Sequence, residues 1–429
     1  MKFYFYTLGC KVNQYETSVM QKLVTDSGHC LADGKESADV IVINSCTVTG
    51  ESDRKTRQAV RRFKRNNPTC AVVLTGCLPQ AFKEDAVSLA EADILLGNGS
   101  NHRLMRAVEH FFATGERVVD IIPHKREDKF CTPTLDCFPE RTRAYIKIQD
   151  GCERYCTYCI IPTARGWVRS KSPDVIKSEV ADLVQNGHKE IVLVGINLST
   201  YGKDLGLNLC DAVDATAEVE GVERVRLGSL EPDLFTDEML TRLANQKKLC
   251  PQFHLALQSG CDTTLHRMNR RYDTAFYADL VNRIRKAFAN SSITTDIMVG
   301  FVGETEEEFN QSVEFVKQIG FARSHVFAYS RRAGTPADRM KGHLENSVKE
   351  ARSRIMIDVA SECEQELLQS QVGLICPVLF EQCDGEYWCG YTPNYTQVMV
   401  KCSDNLQGLI KNVKITEAKD TYCIGEIEE

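Results

Sequence analysis

The sequence predicts an α/β protein in three parts: an N-terminal parallel α/β sheet, a central partial (βα)6 barrel and a small C-terminal antiparallel β-barrel. Three observations carry this. Short β-branched runs alternate with helix-period segments through the first ~120 residues. The same alternation restarts at Ala144 and repeats six times, more than a small open sheet needs. After Val372 the period drops to two, with Gly, Asp and Asn between short runs.

In the first part, strands are expected at Phe3–Leu8, Val40–Asn44, Ala71–Thr75 and Ile94–Leu96, with helices near Tyr15–Thr25, Asp53–Asn66, Gln80–Ala90 and His102–Ala113. In the barrel the strands are Ala144–Gln149, Ile191–Gly195, Val225–Leu230, Phe253–Gln258, Ile293–Val299 and His325–Tyr329. Helices Pro173–Asn186, Thr236–Ala244, Thr274–Ala289 and Glu306–Ile319 fill intervals between them. A long helix around Leu344–Leu368 leads to strands Leu374–Phe380, Trp388–Tyr391, Gln397–Lys401 and Val413–Ala418. The implied boundaries are 1–114, a proline-bearing connector 115–143, 144–369 and 370–429.

Composition narrows the function classes. At 43% hydrophobic and 26% charged residues, the 429-residue chain is neither disordered nor a rod. Its longest apolar runs, such as Ile191–Val194, fall far short of the ~20 residues that span a bilayer. Met1–Cys10 reads as a strand and not as a leader, so a cytoplasmic location is expected. The net charge of -7 argues against non-specific coating of nucleic acid and leaves a local basic patch open. Nineteen cysteines in a large chain point to metal or cluster ligands and buried thiols rather than disulfides.

Cys152, Cys156 and Cys159 form C-x3-C-x2-C directly after the first barrel strand. Three thiolates on one compact loop suit a [4Fe–4S] cube, each holding one iron and leaving the fourth open to chelate and reduce S-adenosylmethionine. Structural zinc is the competing reading, but it wants four ligands and no fourth stands at local spacing. Cys10, Cys46 and Cys77 each stand just past a strand of the first part, one βαβ step apart. A parallel sheet therefore puts them on one carboxyl edge, where ligands of such sheets bind. Small buried thiols are the alternative for these three.

The barrel motif, with Tyr158 before the third cysteine, resembles the radical S-adenosylmethionine superfamily. So do Gly195–Asn197, RLGSLEP at Arg226–Pro232, HLALQS at His254–Ser259, DIMVGFVGE at Asp296–Glu304 and YSRRAGTPA at Tyr329–Ala337. The resemblance implies that Tyr158, Asn197, Ser229, Glu231, Gln258 and Met298 line the S-adenosylmethionine site, although capping of strand ends is an equal reading for each polar residue.

TLGCKVNQYE at Thr7–Glu16, NSCT at Asn44–Thr47 and TGCLP at Thr75–Pro79 extend the likeness. With the barrel and the C-terminal module they resemble the methylthiotransferases, whose order is an N-terminal cluster domain, a radical barrel and an RNA-binding TRAM domain. The family implies two [4Fe–4S] clusters. The barrel cluster would generate a 5'-deoxyadenosyl radical, and the N-terminal cluster would carry the sulfur to be transferred. Lys11–Gln14 is similar to the branch that acts on N6-threonylcarbamoyladenosine at position 37 of tRNA, next to the anticodon. The other branches act on isopentenyladenosine of tRNA or on a ribosomal-protein aspartate. A two-cluster RNA-binding or electron-transfer protein without enzymatic activity is the reading from another class.

The expected partners are the tRNA anticodon stem-loop, an electron donor and a sulfur source. Seven basic residues lie between Arg54 and Arg65, with Arg57 and Arg61 among them, on the helix after Cys46. They form either a phosphate-binding or a simply solvated face. A threonylcarbamoyl carboxylate needs a cationic partner, for which Lys11, Arg331 and Arg332 are the candidates. The C-terminal module runs against type. From Gln371 onward it has four lysines, no arginine and nine carboxylates. It is therefore expected to meet RNA by a narrow edge, with Tyr387, Trp388, Tyr391 and Tyr395 available for stacking, or to act as a lid, although aromatics of a small barrel more often belong to its core.

Overall fold

The computed structural model describes residues 1–136, 138 and 142–428; Pro139 of the expected connector and Glu429 lie outside them. Six parallel strands form the first sheet, in the order Cys30–Leu31, Lys2–Thr7, Val40–Ser45, Ala71–Gly76, Ile94–Leu96 and Val118–Asp120. Its central strands are buried on both faces, so successive residues feed two cores. Ile41, Ile43, Val72 and Leu74 pack on one side with Phe63, while Val40, Val42, Ala71 and Val73 pack on the other with Met20 and Leu104. Two expectations are corrected here. The helix expected at Gln80–Ala90 is two short helices, Cys77–Ala81 and Lys83–Val87, broken at Phe82, whose backbone leaves helical geometry. The sheet also runs past residue 114, because Val118–Asp120 pairs with Ile94–Leu96 as its edge.

The second part has six parallel strands paired in chain order: Arg143–Lys147, Glu190–Val194, Arg224–Leu227, Gln252–Leu255, Ser292–Val299 and Arg323–Ala328. Gly228 interrupts the third, which resumes as Ser229–Leu230 to pair with the fourth. Among the described residues the first and last strands do not pair, so the barrel is open, as the six βα units predict. Helix Asn346–Ser370 packs on the sixth strand and leads to a closed five-stranded barrel. Its fifth strand, Cys423–Ile427, escaped the sequence reading. Five residues with Gly425 and a glutamate carry little strand signal, yet this strand closes the barrel between Gln397–Lys401 and Ile410–Ala418.

The small barrel docks on the amino end of the large one. Arg143, Glu190, Arg224 and Ser292 all open strands, and all belong to this seam. Arg143 pairs with Glu381 and lies 4.8 and 4.9 Å from the ring centroids of Tyr391 and Tyr395, which stack on each other. Arg224 donates to the carbonyls of Tyr391 and Pro377, Arg226 to that of Pro393, and Ser292 Oγ to that of Asn394. Burial would push the Glu190 carboxyl up, but the Arg226 guanidinium and its neighbours hold it below the usual range. The module is therefore not a lid over the cysteines, which stand at the opposite, carboxyl end of the strands. Tyr391 and Tyr395 are taken up by arginines, and Trp388 sits in the small barrel's core.

Removing the ring of Tyr395 should strip one face from both Arg143 and Arg226, whose guanidinium lies 4.7 Å from it. Tyr395→Ala is expected to lower stability by about 2 kcal/mol in denaturant unfolding. It should also make the C-terminal barrel the first part released by limited proteolysis. Unchanged stability and protease pattern would count against the docking.

Candidate active site at the seam of two domains

The N-terminal cysteines converge as the sheet order requires. Cys10 caps the helix Lys11–Asp26, Cys46 follows Val40–Ser45, and Cys77 opens the helix after Ala71–Gly76. Two glycines allow the approach. At Gly9 (φ 115°) a Cβ would stand 2.7 Å from Cys46 Cβ, and at Gly76 (φ 96°) one would stand 2.4 Å from the Ser45 carbonyl oxygen. The motif asparagines tie the loops together. Asn13 Nδ2 donates to the Ser45 carbonyl at 2.9 Å and to Asn44 Oδ1 at 3.2 Å, and Asn44 Nδ2 returns a bond to the Asn13 carbonyl. Burial raises the Cys46 thiol and pushes Cys77 up to about 12, so without a metal both stay protonated at neutral pH. To ligate iron each must become a thiolate, so the metal displaces that proton, which leaves to solvent.

The barrel triplet sits on a loop pinned from several strands. Thr157 accepts from Ala337 N and donates to the carbonyls of Met268 and Arg267, while Cys152 N donates to the Gly166 carbonyl. At Gly151 (φ 80°) a Cβ would stand 1.8 Å from the Trp167 carbonyl oxygen, so only glycine lets the loop close. Arg270 Nη1 donates to Cys156 Sγ at 3.3 Å and Nη2 lies 2.6 Å from Glu231, which also pairs with Arg154. Burial raises the thiols of Cys152 and Cys159.

The residues expected around S-adenosylmethionine gather here. Asn197 Nδ2 lies 4.0 Å from Cys152 Sγ. Gln258, in left-handed backbone (φ 69°), is bonded through its main chain to Asp296 and Met298. Ser229 pairs in register with His254. Met298 packs with Phe301 and Tyr329, and Tyr158 closes that cluster edge-on to Phe301. Asn197 Oδ1 and Gln258 Oε1 are buried without a hydrogen-bond partner among the described residues, as acceptors awaiting a donor from a bound group would be. Three thiols in each set suit a cube that leaves one iron open. Among the described residues no three His, Cys, Asp or Glu side chains meet at a single-metal distance, and a cube spreads its thiolates over separate irons.

The residue that joins the triplets was not singled out from sequence. Arg165, fully buried six positions after Cys159, donates from Nε to Cys77 Sγ at 3.3 Å, from Nη2 to Asn13 Oδ1 and Glu16 Oε2, and from Nη1 to Glu16 Oε1. Lys147 Nζ bridges Glu16 and Asp150, each at 2.7 Å, and Arg169 reaches Asp150 at 3.3 Å. Three cations thus face two carboxylates, with positive charge left over toward the thiols. Glu16 stands in the quoted TLGCKVNQYE motif, but its partners lie some 130 to 150 residues away, which no local pattern encodes.

The candidate cations divide. Arg332 is buried against Asp53 (2.6 Å), Thr47 (2.7 Å) and the Phe82 ring, so it locks the barrel to the first domain and is not placed to meet a substrate carboxylate. Arg331 is exposed and pairs with Asp338. Arg57 pairs with Asp85 and Arg61 with Glu91, the price of a basic helix on an acidic protein. Lys11, beside Cys10, lies 5.9 Å from the Tyr145 ring on the first barrel strand.

An open (βα)6 barrel with a three-cysteine loop and buried acceptors at its carboxyl end defines a radical S-adenosylmethionine enzyme. Comparison with known proteins agrees: the Radical SAM superfamily matches residues 146–316, and Uncharacterized protein family UPF0004 matches residues 2–97. Threonylcarbamoyladenosine tRNA methylthiotransferase MtaB of Bacillus subtilis is 37% identical, over 98% of this chain and 95% of the relative. A tRNA-2-methylthio-N(6)-dimethylallyladenosine synthase of Natranaerobius thermophilus is 33% identical, over 100% and 97%. Among solved structures, the radical S-adenosylmethionine methyltransferase TsrM of Kitasatospora setae shares the fold, with a TM-score of 0.57 at 13% identity over 79% of this chain and 77% of that one. The chain belongs to the radical S-adenosylmethionine methylthiotransferase family and is an enzyme of that class.

Glu16→Gln should leave Arg165 and Lys147 short of a charge inside the seam, costing about 3 to 5 kcal/mol. Burial alone would raise the Glu16 carboxyl, but Arg165 and Lys147 outweigh it and hold it below the usual range, as they and Arg169 do for Asp150. That stability is present above about pH 4, where unfolded carboxyls ionise, and fades as pH falls through the lower folded values. Unfolding of wild type and variant should therefore differ most near neutrality and converge in acid. A gap that stays constant with pH would contradict the charge assignment.

Proposed function

We propose that the enzyme converts N6-threonylcarbamoyladenosine at position 37 of tRNA to its 2-methylthio derivative, using one [4Fe–4S] cluster on Cys152, Cys156 and Cys159 and a second on Cys10, Cys46 and Cys77. One observation carries the two-cluster arrangement: Arg165, which ends the short helix Ile161–Arg165 after one triplet, hydrogen-bonds a cysteine of the other; the substrate follows the likeness to the threonylcarbamoyladenosine relatives. When bound, the clusters and S-adenosylmethionine supply a hydrogen-abstracting radical and a transferable sulfur. The chain's residues hold those groups facing each other. Arg270 and Arg165 each donate to one thiol of a triplet, a contact that tunes cluster potential. Asn197 and Gln258 offer acceptors, and buried Glu231 orients Arg270.

Binding of tRNA is supported by the helix Gly50–Asn66, which starts beside Cys46. Lys55, Arg61, Arg62 and Arg65 line a groove with Tyr6, and Arg62 stacks on Phe63. Such a face suits the phosphates of an anticodon stem. The TRAM-like barrel, docked at the far end, would extend that contact along the RNA. Among the described residues no helix is long and apolar enough to cross a membrane, and every described cysteine is a free thiol, in keeping with work in the cytoplasm.

Two measurements check this. Cys152/Cys156/Cys159→Ala and Cys10/Cys46/Cys77→Ala proteins should each hold about half the wild-type iron; full iron in either refutes the ligand sets. Nucleosides from tRNA of cells with and without the gene should differ in 2-methylthio-N6-threonylcarbamoyladenosine. A difference only in the isopentenyl derivative would move the enzyme to the other branch.

A further inference from the structure

The barrel interior beside Gln258 and Met298 carries a polar wall that the chemistry above does not use; Gln258 N donates to the Asp296 carbonyl at 2.9 Å. Along the fourth and fifth strands, Phe253, Leu255, Ile293 and Ile297 belong to the core under the helices, with Phe253 packed on Phe235 and Phe288. Strand alternation turns His254, Thr294 and Asp296 the other way, into the barrel. Register sets His254 beside Thr294 and Asp296 beside His325. The imidazole of His254 is held at both nitrogens, Nδ1 3.1 Å from Thr294 Oγ1 and Nε2 3.3 Å from Asp296 Oδ2, and its ring lies 6.0 Å from that of His325. Asp296 keeps 33% of its side chain accessible, so its carboxylate can still meet a ligand.

This wall lies within electrostatic reach of both cysteine sets. Burial tends to raise the Asp296 carboxyl, but His254, His325 and Arg270 hold it ionised, and Arg270 is the donor to Cys156. Burial lowers His325, and so does Lys11, the residue after Cys10. A base brought against this wall would meet the Asp296 carboxylate as acceptor and the His325 imidazole, with Lys11 close enough to act on His325.

We propose that Asp296 and His325, with His254 orienting the Asp296 carboxylate, recognise the substituent on N6 of the target adenosine, selecting one that carries both N–H donors and an anion. This rests on the reading under Proposed function and names the residues that make the choice. An apolar substituent would strip the wall of water and return no hydrogen bonds, leaving buried polar groups unpaired. A urea-linked amino acid matches it: its N–H groups donate to Asp296, and its carboxylate accepts from His325 and lies toward Lys11.

The test is binding of reconstituted holoenzyme to anticodon stem-loop RNAs that carry threonylcarbamoyladenosine, isopentenyladenosine or adenosine at position 37. Wild type should prefer the first over the third by roughly tenfold or more, and Asp296→Asn or His325→Ala should cut that preference to about twofold. Preference retained in the variants, with wild type behaving as expected, overturns this proposal alone. Wild type that prefers isopentenyladenosine, or has no preference, overturns the substrate reading as well. Should Asp296→Asn not fold, His325→Ala decides by itself, since His325 stands on the last strand of the open barrel, which pairs on one side only among the described residues.

Discussion

Arg165 is a fully buried guanidinium whose donors are shared between two domains, and the relative position of the two cysteine triplets depends on it. It starts from the end of the barrel helix Ile161–Arg165 and ends on Asn13, Glu16 and Cys77 of the first domain. Sliding one domain against the other would strand this charge and those of Lys147 and Asp150 out of water. The penalty for an unpaired buried charge far exceeds the worth of a surface pair. A hydrophobic seam would hold the domains as firmly but would tolerate slippage. For the proposed reaction, which must bring a carried sulfur to one carbon, register matters more than adhesion.

The same device recurs at the other end of the barrel. Arg143, Arg224 and Arg226 surround Glu190 and are capped by carbonyls and tyrosine rings of residues 391–396. Polar barrel ends thus flank an apolar core that runs across the first seam through Val12, Tyr15 and Val19, and the C-terminal module completes the amino end while leaving the carboxyl end to chemistry. Arg332 with Asp53 adds a third buried pair across the first seam. Buried arginines, each bonded by carboxylates and carbonyls, are how an acidic protein with open active-site loops keeps three parts in one arrangement.

How much of this was legible follows from which signals are local. The alternation of β-branched runs with helical periods placed all six barrel strands, and strand-end spacing placed the six cysteines on two carboxyl edges, because both are set within ~40 residues of chain. The pairings of Glu16 with Arg165 and of Asp53 with Arg332 join residues more than a hundred positions apart, and a lone arginine in sequence carries no sign of its partner. For that reason Arg332 stood among the candidate substrate cations, and nothing tied Tyr391 and Tyr395 to the arginines that take them up. The strand Cys423–Ile427 was hidden for another reason: its strand character comes from barrel closure and not from its own residues.

The central claim is that Arg165 sets the register in which sulfur meets the activated carbon. The most direct test is the ratio of methylthiolated nucleoside to 5'-deoxyadenosine formed by Arg165→Lys, which keeps the charge and loses the planar fork. The account predicts a ratio several-fold below wild type, with cofactor cleavage running ahead of transfer. A ratio equal to wild type, with both products slowed alike, would contradict it.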